Sequence, residues 1–273
     1  MANHLKSICG AALALAALIS GPAQAGNIFL TGHDTDYHGQ TTIIAADANF
    51  VRNGSLLPIL VFDRGTQLTN QLTLAGIAHV DFNPTGIITD AMFNPTLYSA
   101  FAVASQASCG GCDNQPADAV AIAAHSAAIA SFFNAGGGIL GFAAASDPLG
   151  YAYVPLAASN AGGSPPSFGF VETAAGLAVG LIAENGDPTH NYFPTPGTGG
   201  LSSAYQVAEV NGSNVESIFV QNGRISCEGA ACIITTPGGV PEPATWALML
   251  MGFGGLGAVL RGNRRRIYAG AAA

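Results

Sequence analysis

Two apolar stretches, one at each end, decide how much of this chain is available to fold. The first follows a weakly basic start, Met1 to Lys6. It runs from Ile8 to Ile19 and gives way to the small-residue pattern Ala23-Gln24-Ala25 before Gly26. That order is a secretory signal peptide, with cleavage expected after Ala25. A membrane-spanning helix needs roughly 20 apolar residues, and this run stops short of that at Gly21-Pro22. The second stretch, 244–260, is rich in glycine and carries Trp246 near its start. Val240-Pro241-Glu242-Pro243 lies before it, and Arg261, Arg264, Arg265 and Arg266 after it. The spacing predicts a short transmembrane helix over 244–260 with an aromatic anchor at one interface and arginines at the other. Because arginines stay on the cytoplasmic side, everything before Pro241 is expected outside the inner membrane. The prolines leave an extended, protease-accessible link. The predicted organisation is a signal peptide over 1–25, an extracytoplasmic domain over 26–236, a linker over 237–240 and a C-terminal tail over 241–266.

The span between these ends is long enough for one well-filled core. The whole chain is 49% hydrophobic and 9% charged, with a formal charge of −8. Between residues 26 and 239 there is no lysine. Arg52, Arg64 and Arg224 face fifteen carboxylates, a net −12. Such a surface repels nucleic acid and anionic lipid, and it either attracts divalent cations or simply keeps an exported protein soluble. The high apolar content excludes a disordered chain.

Strand and helix signals alternate through the first half. Asn27–Thr31 and Leu57–Phe62 read as buried strands on either side of a helix over Thr41–Arg52, which ends at Asn53-Gly54. Tyr98–Ser105 reads as a third strand. A helix over Ala117–Asn134 follows, opened by Pro116 and closed by Gly136-Gly137-Gly138, and Ile139–Ala143 is a fourth strand. This order predicts an α/β fold, a three-layer sandwich of the flavodoxin-like kind with a mostly parallel sheet. From Asp147 to Gly200 the chain is rich in Gly, Pro, Ser and Asn, with one helix signal at Glu172–Ala183. Tyr205–Val210 and Val215–Gln221 flank Asn211-Gly212-Ser213-Asn214 as a β-hairpin, and Ile225–Thr236 suggests an edge hairpin.

Removal of the signal peptide takes Cys9 with it and leaves Cys109, Cys112, Cys227 and Cys232. Four cysteines allow three connectivities, and the close spacing favours Cys109–Cys112 and Cys227–Cys232 as disulfide loop staples in an oxidising compartment. A redox Cys-Gly-Gly-Cys needs its first sulfur at a helix N-terminus, and here Asp113-Asn114-Gln115-Pro116 intervenes. The cluster with most chemical potential is His33-Asp34-Thr35-Asp36-Tyr37-His38, at the C-terminal end of the first strand. Ligands commonly bind α/β sheets at that edge. Its nitrogen and oxygen donors suit Zn²⁺, Mn²⁺ or Ca²⁺, while the same residues also serve as ordinary loop and capping residues. An extracytoplasmic metal-dependent hydrolase using His33, Asp34, Asp36 and His38 is therefore the alternative to a non-catalytic domain.

The tail, Pro241-Glu242-Pro243-Ala244-Thr245-Trp246-Ala247 with its Gly252-Phe253-Gly254 stretch and arginine cluster, closely resembles the PEP-CTERM sorting signal of Gram-negative bacteria. The resemblance implies an exosortase as partner, reached after the Sec machinery, signal peptidase and a transient stay in the inner membrane. It further implies processing near Pro241, Glu242 and Pro243, retention through Arg264, Arg265 and Arg266, and delivery to the cell surface or an exopolysaccharide matrix. The core resembles, less closely, the class I glutamine-amidotransferase-like fold. The resemblance rests on Leu30-Thr31-Gly32-His33-Asp34, Ser108-Cys109-Gly110-Gly111 and Phe132–Gly141. It implies an oxyanion role for Gly110 and Gly111 and a nucleophilic cysteine on the turn after the fourth strand. That turn reads Gly141-Phe142-Ala143-Ala144-Ala145-Ser146, without a cysteine, and neither His125 nor His190 is assignable as a base. No catalytic residue, metal ligand or resident cofactor is therefore assigned, and the domain is expected to act without catalysis.

Overall fold

A computed structural model describes residues 25–106, 114–163, 168–184, 189–228 and 231–235, with side chains up to residue 226. Both end segments fall outside the described residues. So do Cys109, Gly110, Gly111 and Cys112.

Strand β1 (Gly26–Thr31) is buried along its whole length and begins at the first residue after the expected signal-peptide cleavage point. Helix α1 (Thr35–His38) is a single turn. Helix α2 (Thr41–Arg52) lays Ile44, Ala48 and Val51 on the sheet and ends where Asn53 takes the left-handed conformation, φ 48°. Strand β2 (Ile59–Phe62) leads into helix α3 (Gln67–Leu74) and strand β3 (His79–Phe82), and a 3₁₀ turn at Asp90–Met92 precedes strand β4 (Ala100–Val103). Helices α4 (Pro116–Ala123) and α5 (Ser126–Asn134) then lead into strand β5 (Gly138–Gly141). Strand β6 (Val171–Glu172), helix α6 (Ala174–Ala178), and strands β7 (Gln206–Asn211), β8 (Asn214–Glu228) and β9 (Ala231–Thr235) complete the described elements.

The sheet runs β3-β2-β4-β5-β1-β8-β7-β6, with β9 paired to β8. Strands β3 to β1 in that order are parallel, and from β1 onward every pairing is antiparallel. Helices α2 and α3 cover one face, where Leu68 and Leu72 pack with Ile59, Val61 and Phe219. Helices α4 and α5 cover the other, where Ile122, Ile129, Phe132 and Phe133 meet Leu60, Phe62 and Phe101. This is a mixed α/β architecture in three layers, with an antiparallel extension beyond β1.

Several elements depart from the sequence expectation. The single helix expected over Ala117–Asn134 is two helices bent by 69°. At the bend His125 has φ −101° and its Nδ1 lies 2.6 Å from Asp90 Oδ1 on the 3₁₀ turn, a tertiary side-chain contact at the point where the helix breaks. The helix expected over Glu172–Ala183 shrinks to α6, because Val171 and Glu172 pair with β7 as a strand. Helix α3 and strand β3 carry little apolar signal: three of the eight residues of α3 are buried, and β3 is a half-exposed edge strand. Among the described residues no single helix is long and apolar enough to cross a membrane; the expected spanning segment 244–260 lies outside them. The backbone ladder sets Cys227 directly opposite Cys232, while the expected Cys109–Cys112 pair lies outside the described residues.

Beyond β5, Ala145 holds φ 49°, left-handed backbone that costs an alanine roughly 1–2 kcal/mol. Ala145→Gly removes that strain while adding unfolded-state entropy worth about 0.5–1 kcal/mol. The expected net result is a gain of about 0.5 kcal/mol in unfolding free energy by denaturant titration.

Candidate functional site: a buried histidine and carboxylate cluster

The C-terminal end of β1 carries the expected His33-to-Asp36 run, and all four residues from His33 to Asp36 are buried. The fold does not gather His33, Asp34, Asp36 and His38 into one ligand set. It sends them to three places.

Asp36 turns toward β4. Its carboxylate accepts from Ser105 N at 2.9 Å and Ser105 Oγ at 2.6 Å. Burial pushes its pKa from 3.8 up to about 7, against the pull of those two hydrogen bonds. Since the native value lies above the unfolded one, the native state holds a proton that the unfolded chain has lost between about pH 4 and 7. The contribution is therefore complete below pH 4 and lost as pH rises to 7. Asp36→Asn is expected to flatten the stability-versus-pH slope in that window by about one proton, ~1.4 kcal/mol per pH unit. Chemical denaturation at a series of pH values reads this directly, and an unchanged slope would place the proton elsewhere.

Asp34, fully buried, faces two partly exposed imidazoles: His190 Nε2 at 3.1 Å and His38 Nε2 at 3.4 Å from its Oδ2. Helix α1 brings His38 back over Asp34 in one turn. His190 arrives from the opposite direction, where His190 N donates to Gly32 O at 2.8 Å and Thr189 bridges His33.

His33 turns the other way, to residues that sequence reading did not single out. Its Nε2 lies 2.9 Å from Glu209 Oε2 on β7, and its Nδ1 3.7 Å from Glu184 Oε2 in the segment after α6. Glu209 Oε1 accepts from Glu184 N at 2.7 Å, Glu209 Oε2 from Ser217 Oγ at 3.3 Å, and Glu184 Oε1 from Thr31 Oγ1 at 3.3 Å. The Phe170 ring stands edge-on to His33, 4.6 Å between centroids. His33, Glu184 and Glu209 each present a ligand-type atom, all within 4.8 Å of one another and all buried.

More carboxylates surround this trio. Glu172 pairs with Glu209 across the β6–β7 ladder. Burial pushes Glu172 up to about 8 and Glu216 up to about 8, each raised further by Glu209. Asp47, buried on α2, is raised by burial and then by Glu172 and Glu209. The pattern was hidden in the sequence because its members, at 33, 47, 172, 184, 209 and 216, are drawn from strands, a helix and two loops that meet only in the tertiary fold.

With this geometry in hand, comparison with known proteins finds a match in the tail. The profile of the PEP-CTERM protein-sorting motif matches residues 239–266. That motif fits an exported protein with exosortase as its processing partner and a C-terminal membrane anchor before sorting. No curated protein matches the chain. No solved structure matches it either, so the likeness of the core to the amidotransferase-like fold has no support from that side.

Proposed function

We propose that this chain is exported through the Sec machinery and held for a time in the inner membrane by its C-terminal helix. Exosortase then cleaves it near Pro241, Glu242 and Pro243, and it reaches the cell surface or an exopolysaccharide matrix as a non-catalytic α/β domain. The observation that carries this reading is the sorting motif over residues 239–266. A net charge of −12 between residues 26 and 239 suits a chain that must stay soluble outside the cell. The non-catalytic part is supported by the turn after β5, Gly141-Phe142-Ala143-Ala144-Ala145-Ser146, which lacks the nucleophilic cysteine of the amidotransferase-like fold. The hydrolase alternative required His33, Asp34, Asp36 and His38 to act together, and their separate partners argue against it. Disulfides at Cys109–Cys112 and Cys227–Cys232 belong to the same reading, and the Cys227–Cys232 register suits a cross-strand staple. The test is to fractionate host cells producing the chain with Pro241, Glu242 and Pro243 replaced by alanine. Loss of the released form supports the sorting reading, and undiminished release contradicts it.

A further inference from the structure

Strand register puts a row of polar residues across four strands. Glu172 lies opposite Glu209, Glu209 opposite Ser217, and Ser217 opposite Thr31. Directly paired residues on antiparallel strands project from the same face. That face is the one under α2, since Phe29 and Phe219, two positions along β1 and β8, pair there and Phe219 stacks edge-on with Phe50 of α2. Asp47 descends onto this row from α2, and His33 and Glu184 close it from the loops after β1 and α6.

Two like charges directly opposite each other on neighbouring strands are destabilising, and here they sit under a protein layer. Asp47 is 1% exposed and Glu216 fully buried, and neither carboxylate has a hydrogen-bond partner. The arginines whose partners are described are committed elsewhere. Arg52 reaches Leu57 O, and Arg64 pairs with Asp118. Arg224 stands seven residues along β8 from Ser217, roughly 23 Å at 3.3 Å per residue. Uncompensated buried carboxylates of this kind either keep their protons or coordinate a cation.

We propose that His33, Glu184 and Glu209, buried with ligand-type atoms within 4.8 Å of one another, ligate a divalent first-row transition cation, Zn²⁺ or Mn²⁺. The imidazole donor favours these ions over Ca²⁺ and Mg²⁺, which take all-oxygen sets. The burial of the three ligands marks the site as structural: the ion fastens the loop after β1 and the segment after α6 to β7, and so joins the parallel and antiparallel halves of the sheet.

The test uses protein recovered from its native host without chelator. Metal is quantified by plasma mass spectrometry, and thermal unfolding is followed before and after EDTA and after readdition of Zn²⁺ or Mn²⁺. The expected result is one equivalent of metal per chain, a melting point that EDTA lowers and either ion restores, and loss of the metal in Glu184→Gln and His33→Gln. His125→Ala, on the opposite face, keeps it. Where a variant fails to fold, the EDTA and readdition series on the unmodified protein decides. Metal-free protein whose melting point neither ion raises would overturn the proposal. So would a metal retained in folded Glu184→Gln and His33→Gln, or a response to Ca²⁺ alone.

Discussion

Gly32→Ala is expected to cost roughly 3 kcal/mol or more. A Cβ at Gly32 would fall on the backbone carbonyl of Asn191, and a backbone atom cannot swing aside as a side-chain tip can. The approach is close because the 189–191 segment is docked there by His190 N to Gly32 O and by the His33–Thr189 bridge. Overpacking alone costs about 1–3 kcal/mol. Moving Asn191 also disturbs its side chain, which is fully buried, accepts from Ala144 N at 2.8 Å and bonds the Tyr151 hydroxyl. Leaving such groups unsatisfied costs roughly 1–3 kcal/mol each. In a domain of this size the sum lowers the melting point by about 6–12 °C. The same displacement carries His190 away from Asp34. A loss under about 1 kcal/mol would mean that the segment yields without strain, and that its docking on β1 does not hold the cluster together.

That docking also explains how far the sequence could be read. Strands β1, β2, β4 and β5 are continuous apolar runs, the pattern of strands covered on both faces, and each lies within a residue or two of where the pattern put it. The Asn211–Asn214 turn announced the β7–β8 hairpin in the same way. What stayed hidden carried a weak local signal or depended on tertiary contacts. Helix α3 is half polar, and its cap is local but not at the usual N-cap position: Asp63, in the loop before it, accepts from Gly65 N and Leu68 N. The bend at His125 coincides with its contact to Asp90. At the site, His33 was legible as a residue with chemistry at the right edge of the sheet, but its neighbours in sequence were the wrong guide. A one-turn helix and strong local partners take Asp34, Asp36 and His38 elsewhere. Glu184 and Glu209 come from the Gly- and Pro-rich half of the chain, where periodicity is weak.

The second large effect lies in the tail. Replacing Pro241, Glu242 and Pro243 by alanine removes the extended, helix-breaking link before the apolar segment while leaving that segment and Arg261 to Arg266 in place. A chain so altered should still be exported and anchored, since apolar length and the arginine bias determine insertion and orientation. It should no longer be cut, so the released form falls to background and full-length chain accumulates in the membrane fraction. Replacing Arg264, Arg265 and Arg266 by glutamine acts earlier, by weakening the cytoplasmic retention of the C-terminus. The two variants therefore differ in where the chain stops. Immunoblots of membrane and released fractions read both, and equal release from the unmodified and alanine-substituted chains would remove the tail from the sorting step.

The most direct measurement is the intact mass of the protein recovered from its native host, taken separately for cell-bound and released fractions. The account predicts a released species that begins at Gly26, the first residue of β1, and ends close to Pro241–Pro243. A released species still carrying Trp246 to Ala273 would contradict it.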